Sequence, residues 1–431
     1  MTGTAEIRAA IAADDQPEAL RLLAGLIREV TGLAPQALAI NADRYSLNSV
    51  NGFFTDGGAR AFFFKFHQEE GEEEGVSEYY NAKVLAEAGY PVTQPLFAET
   101  HPGRQILVYE RMDIPRLSDL CSAIEKGEAE GAEADVIAAQ AAADSAFAGI
   151  ALRHLHDDAR AETAAQPLHQ LFYNRLVDRP GDSTPGGRVA RFYLGGQVRW
   201  HGLEAPFDEI AALPWRIDGV DYDTPLAELF TTAITRLAPA RFTPGPVFPA
   251  HGDAHNANVW FHPAAPGAPA HLSLFDPAFA NAAVPALLAE VKATFHNIFA
   301  HPFWLYEPDV CAARTRATAR LEGGRIVVET GHALSPLRRA FLASKAERFW
   351  RPLLTELKRR GALAEDWEAQ VRTALFACPT LVMNLLPGEG SSHNPTSSLI
   401  GFAQAVRAAQ APATPGAEDD FTRFFAASRP C

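Results

Sequence analysis

Apolar positions at the start of the chain recur every three or four residues. Ile7, Ile11, Leu20, Leu23, Ile27 and Val30 stop at Gly32 and Pro35, which predicts two short helices within residues 1–34. They cap a neighbouring lobe or mediate a homodimer. The pattern then turns to strand. Tyr45 to Phe54 and Ala61 to Phe66 flank Asp56-Gly57-Gly58, a turn signal between apolar runs that predicts a hairpin. SEYYNAKVLAEAG, ended by Gly89 and Pro91, reads as a helix, and QILVYE, Gln105 to Glu110, as a buried strand. Hairpin, helix, strand is the order a small nucleotide-binding lobe needs.

From Pro115 onward helical spacing dominates. The polar, alanine-rich segment Lys126 to Ala142 is either a solvated helix face or a mobile connection. Pro180 to Tyr222, rich in glycine and aromatics, predicts hairpin-like strands at Arg188 to Tyr193 and Gln197 to His201, and reads as an insertion of about residues 180–222. Mostly helical sequence resumes after residue 284, with Pro412 to Asp420 a flexible stretch before a last short helix. The expected fold class is α+β and two-lobed, with a small antiparallel-sheet lobe and a larger, mostly helical one that carries the insertion. The expected divisions are a helical extension (1–35), a nucleotide-binding lobe (36–112) and a catalytic and substrate-binding lobe (113–431).

Composition narrows the classes. Among 431 residues, 47% are hydrophobic and 21% charged, ordinary for a globular protein. A net charge of −14 argues against an extended footprint for nucleic acid or anionic membrane. Cys121, Cys311, Cys378 and Cys431 lack zinc or disulfide-framework spacing. Acidic residues stand where a signal peptide needs a basic start. The apolar run Ala374 to Leu386 is broken by Pro379 and Asn384 and is too short to span a bilayer. The expectation is a cytoplasmic protein.

The chemistry concentrates in HGDAHNANVW, residues 251–260. Asp253 precedes Asn258 by five positions, the interval at which a kinase catalytic loop presents a proton-accepting aspartate and a magnesium-binding asparagine. Downstream, LSLFDPAFA is an apolar strand ending on Asp276, the place for a second metal-binding carboxylate. A zinc site on His251 and His255 leaves Asp253 and Asn258 unused and lacks an HExxH pattern. Lys65 lies inside a run of phenylalanines. Either its strand is an edge and the ammonium reaches solvent, or Glu78 on the following helix holds it toward the phosphates of ATP.

Together Lys65, Glu78, HGDAHNAN and FDP resemble the aminoglycoside phosphotransferase and choline kinase superfamily, over about residues 40–300. LRHLHDD, with Leu152, Leu155 and His156, resembles that family's LxxLH helix. The resemblance implies a protein-kinase-like fold and magnesium-dependent transfer of phosphate from ATP bound between the lobes. It implies Asp253 as base, Asn258 and Asp276 as magnesium ligands, Lys65 as phosphate clamp and Glu78 as its partner. Val108 to Met112, including Glu110, would be the adenine hinge, while His251, His255 and His156 would be structural. Two departures stand out. The phosphate-covering loop SLNSVNGFF has one glycine, Gly52, so Ser49 or Asn51 side chains would replace backbone contacts. Pro277 follows Asp276, which restrains the backbone there and makes a flipping activation switch improbable.

The expected activity is transfer of the γ-phosphate to a hydroxyl of a small metabolite. Alternatives are a peptide or protein serine or threonine as acceptor, or a nucleotide-binding regulator without turnover. Arg175, Arg179, Arg188, Arg191, Arg199 and His201 gather around the insertion. They bind a phosphorylated or carboxylated acceptor, Arg175, Arg188 and Arg191 foremost, or are scattered surface residues. The glycine- and serine-rich stretch within residues 370–405 has no assigned role.

Overall fold

The computed structural model describes residues 3–41, 49–58, 60–67, 81–101, 103–159, 166–388 and 391–431, with Ser49 and His67 described by their backbone alone. The chain forms two units: residues 1–83 with 92–114, and residues 84–91 with 115–431. An antiparallel sheet dominates the first and helices the second, as an α+β two-lobed fold requires.

The first unit is a five-stranded sheet in the order β1-β2-β3-β5-β4, with β1 Gln36–Ile40, β2 Ser49–Thr55, β3 Ala61–His67, β4 Phe97–Glu99 and β5 Ile106–Glu110. Side chains alternate across β3 because successive residues of a strand point to opposite faces. Phe62, Phe64 and Phe66 are buried in one core with Val50, Phe54, Ile106 and Val108. That core also takes Ile7, Leu23, Leu26 and Ile27 from α1 (Thr4–Ala12) and α2 (Gln16–Thr31), so the two terminal helices cap this sheet. Phe63 packs with Leu107 and Tyr109 in a separate cluster.

Lys65 is paired in register with Asn51 on β2 and Leu107 on β5. The strand is therefore internal, and the edge-strand expectation is corrected: Lys65 is buried, as is Asn51. Residues 49–54 of the expected phosphate-covering loop belong to β2. Gly52 is demanded there by packing, since a Cβ would meet the carbonyl oxygen of Ala39 at 2.0 Å. The hairpin turn closes as its sequence implied, with Asp56 Oδ1 accepting from the amides of Gly58 and Arg60, each at 2.9 Å. The helix after the acidic run is Ala82–Ala88, and Glu78 lies outside the described residues.

In the second unit the alanine-rich segment becomes part of helix Glu133–His154, long and apolar enough by length and composition to cross a membrane. Its packing identifies it as a core helix: Val136, Ala139, Phe147 and Ile150 are buried, and Asp144, fully buried, pairs with Lys345 at 2.6 Å. The expectation of a solvated face or mobile connection is corrected accordingly.

One further expectation fails for a reason of spacing, and the mostly helical region after residue 284 carries a hairpin. Residues 188–193 are not a strand but lie on helix Gly187–Phe192 and its cap. Val189, Phe192 and Tyr193 are spaced three and four apart, a helical rather than an alternating interval. Downstream of residue 284, strands Ala317–Glu322 and Arg325–Thr330 form a hairpin around Gly323-Gly324. The insertion is anchored by Tyr193, whose hydroxyl donates to the Thr380 carbonyl at 2.7 Å and whose ring packs against Phe207, Phe230 and Phe402. Helices Trp367–Val382 and Pro395–Ala409, within the stretch without a role, are thus core on which the insertion sits. The stretch before the last helix is tied down, the Ala413 amide donating to the Asp221 carbonyl at 2.8 Å.

Candidate active site

Strand Gly245–Ala250 runs between Asn281–Pro285 and His156–Asp158 in a three-stranded sheet. Its buried Val247, Phe248 and Ala250 make a rigid base for the loop that follows. His251 is buried, with Nε2 2.9 Å from the Phe275 carbonyl and Nδ1 accepting from the Asp253 amide at 3.3 Å. Both ring nitrogens are engaged, leaving no lone pair for a metal. Gly252 has φ +77°, and a Cβ there would lie 3.0 Å from the Phe279 carbonyl oxygen and 3.1 Å from Leu168. Conformation and space both demand glycine.

The backbone carbonyl of Asp253 organises the turn. It accepts from the His255 amide at 2.8 Å and from Asn258 Nδ2 at 3.0 Å. That second bond fixes the amide of Asn258 with its nitrogen inward, so the side-chain oxygen is the atom left to face a cation. The Phe275 amide donates to the Asn258 carbonyl at 3.0 Å, which sets Asp276 one residue beyond the partner of Asn258. Trp260 and Phe275 stack at 4.3 Å across the hairpin Val259–His262 and His271–Leu274. Asp276 has φ +54°, a left-handed conformation that costs a non-glycine residue about 1 kcal/mol or more. Among the described residues no group of three or more His, Cys, Asp or Glu could hold a metal by itself. One amide oxygen and one carboxylate suit a hard cation that takes its other ligands from phosphate oxygens and water, as Mg2+ does.

The Asp253 carboxylate sits between an imidazole and an ammonium. Its Oδ2 lies 3.8 Å from His255 Nε2 and its Oδ1 3.7 Å from Lys292 Nζ. Oδ1 is buried without a hydrogen-bond partner. Burial by itself raises the carboxyl pKa, but Lys292, then His255, His251 and Arg175 outweigh it and hold it below the usual range. Burial lowers the pKa of Lys292, with Asp253 opposing, and also lowers that of His255, again against Asp253. Lys292 also sits 2.8 Å from His296 Nε2. Burial, then Lys292, keeps His296 neutral, well below its ordinary range.

The loop is braced from behind. Asn297 Oδ1 accepts from the Asn256 amide at 2.7 Å, and its Nδ2 donates to the Ala254 carbonyl at 3.2 Å. Arg338 donates to the Asn297 carbonyl at 2.8 Å and grips Glu125 with two bonds of 3.0 and 2.9 Å. Lys292, Asn297 and Arg338 escaped the sequence reading. For Lys292 a signal existed, a lone cation in the apolar run AEVKATF, the same signal that singled out Lys65.

The arginines of the insertion divide. Arg179 and Arg191 are exposed, and Arg199 pairs with Glu204 at 3.1 Å on the surface. Arg188 is half-buried and donates to the carbonyls of Leu381 and Val382 at 2.7 and 3.2 Å. Arg175, on helix Tyr173–Leu176, is half-buried; burial, then Arg188, push its pKa down to about 10 against the pull of Asp253. Within LRHLHDD the helix ends at His154 and His156 opens strand His156–Asp158, exposed, its Nδ1 2.8 Å from the His154 carbonyl. In the first unit the Val108 carbonyl already accepts from the Leu96 amide at 2.8 Å, whereas Glu110 is exposed and Met112 half-buried beyond it. A cavity of about 400 Å³ opens elsewhere in the second unit, between Phe192, Gln197, Arg199, Asn384, Ser391 and Ser392. No residue of the 251–276 segment lines it.

No family model matches the sequence, and no curated protein does. Solved structures do. By name they include antibiotic kinases and phosphotransferases. An amicoumacin kinase bound to AMP-PNP and Ca2+ matches with TM-score 0.46 and 12% identity over 92% of this chain and 95% of that one. A GDP complex of an aminoglycoside 2'-phosphotransferase matches with TM-score 0.40 and 10% identity over 90% and 98%. The macrolide 2'-phosphotransferase of Brachybacterium faecium matches with TM-score 0.34 and 14% identity over 94% and 100%.

Proposed function

We propose that this chain is an ATP-dependent phosphotransferase that moves the γ-phosphate to a hydroxyl of a small metabolite. The observation that carries this reading is the loop itself: one backbone carbonyl, that of Asp253, holds the Asn258 amide nitrogen and so leaves its oxygen free, while the Asp253 side chain keeps a buried oxygen without a hydrogen bond. Asn258 and Asp276 would hold Mg2+, which screens the phosphate charge.

Asp253 Oδ1 would accept the hydrogen bond of the acceptor hydroxyl. As that oxygen bonds to the γ-phosphorus and the bond to the ADP oxygen breaks, the proton passes to the carboxylate and then to solvent. The low pKa of Asp253 suits this order, because in a loose transition state the proton leaves late and the carboxylate chiefly positions the nucleophile. His255 and Lys292 keep the carboxylate ionised and aimed. Asn297 and Arg338 hold the backbone that places it.

The test is transfer of labelled γ-phosphate from ATP to a pool of small metabolites. Label should appear with wild-type protein and vanish with Asp253→Asn while magnesium-dependent AMP-PNP binding persists. Wild-type rates in Asp253→Asn would refute the role of Asp253. Tight nucleotide binding without turnover against any pool would favour the regulator.

A further inference from the structure

Around Asp253 the charges do not balance. Lys292 approaches its Oδ1 at 3.7 Å, and Arg175 is close enough to stabilise the same carboxylate. Helix Tyr173–Leu176 follows directly on the 3-10 turn Pro167–Leu171, whose Leu168 packs against Gly252 of the loop. Helix Gly187–Phe192 is pressed on the same backbone: a Cβ on Gly187 would stand 2.7 Å from the Arg175 carbonyl oxygen. That packing brings Arg188 alongside, where its charge acts on both Arg175 and Lys292. Lys292 and Arg175 therefore share one carboxylate, with the Arg188 charge acting on both of them. Arg188 spends one nitrogen on two backbone carbonyls. Among the described residues Arg175 has no carboxylate at ion-pair distance and no side-chain hydrogen bond.

Desolvated cations without counter-charge are costly, and such clusters persist where a ligand supplies the missing charge. A guanidinium offers a planar fork matched to carboxylate and phosphate oxygens. The cations come from helices outside the hairpin that carries Asn258 and Asp276, so they border Asp253 from elements other than the expected metal ligands. We propose that Arg175, flanked by Lys292 and Arg188, anchors a negatively charged group on the phosphate acceptor, making that acceptor a small hydroxylated anion. The inference rests on the phosphotransferase reading and narrows its acceptor. A polyamine acceptor would meet repulsion here. The exposed Arg191 and Arg199 would take no part.

Calorimetric titration of inorganic phosphate, with and without saturating magnesium AMP-PNP, tests this on the full chain. Phosphate should bind in both states. Arg175→Met should weaken it by about tenfold or more, the loss of one charge-assisted hydrogen bond, whereas Arg175→Lys should weaken it less and Arg199→Met not at all. Equal affinity in Arg175→Met overturns the proposal. So does abolition of phosphate binding by AMP-PNP in the wild type, which would assign the cations to the nucleotide's terminal phosphate. Failure to bind magnesium AMP-PNP would sink the phosphotransferase reading instead, while the phosphate titration still decides the anion site.

Discussion

Lys345 and Lys292 are both buried in the second unit, at 3% and 4% exposure, yet their surroundings drive them in opposite directions. Lys345 has two carboxylates, Asp144 at 2.6 Å and Glu290 at 3.0 Å. Burial works to lower its pKa, but Asp144 and Glu290 outweigh burial and hold it above the ordinary range. Lys292 has one carboxylate at 3.7 Å and a neutral imidazole, and burial wins. A fully compensated buried charge ties elements together; an under-compensated one keeps electrostatic capacity for a ligand. The difference separates a structural staple from a candidate working group without reference to any relative.

Four perturbations break or sharpen that contrast, in falling order of size. Asp253→Asn removes the one carboxylate paired with Lys292 among the described residues and should cut kcat by about 10² to 10⁴, the range for a lost general base, measured as ADP release with acceptor present. Lys345→Met strands Asp144 and Glu290 and should cost about 3–5 kcal/mol in urea unfolding. Lys292→Met should cost less than half of that, and equal losses would erase the distinction.

Acid should act on a third kind of site, the buried histidines. Burial holds His296 and His301 well below their ordinary pKa, and His393 down to about 4. Being neutral in the fold, they take up protons on unfolding. Their contribution is complete above the unfolded pKa of about 6.5 and is lost as pH falls from there toward the folded values. For His393 the loss by pH 5 should reach about 2 kcal/mol, and His393→Gln should flatten the fall of Tm between pH 7 and 5. The smallest effect concerns Asp253 itself. Lys292→Met should move the acid limb of the kcat/KM profile upward, because the ammonium that holds the carboxyl down is gone; Lys345→Met should leave the limb in place.

What was legible follows from the range of the forces involved. The hairpin of β2 and β3 was readable because alternation and an Asp-Gly turn are local. The HGDAHNAN loop was readable because Asp253 and Asn258 are joined by a bond spanning five residues. The misread helix Gly187–Phe192 is short, and its aromatic residues allowed either period. The hairpin at 317–330 was overlooked although Gly323-Gly324 marked its turn. The helix Glu133–His154 looked solvated because the partner of its Asp144 lies two hundred positions away.

By itself the sequence determined the periodic elements, the capping glycines and the spacing of groups within one loop, since each depends on backbone geometry over a few residues. Only the tertiary structure decided that Lys65 is internal, that Arg175 is half-buried while Arg199 is exposed, and that Lys292 meets Asp253. Electrostatic energy depends on distance through a desolvated interior, and no local pattern of residues encodes which distant charges are folded into reach of one another.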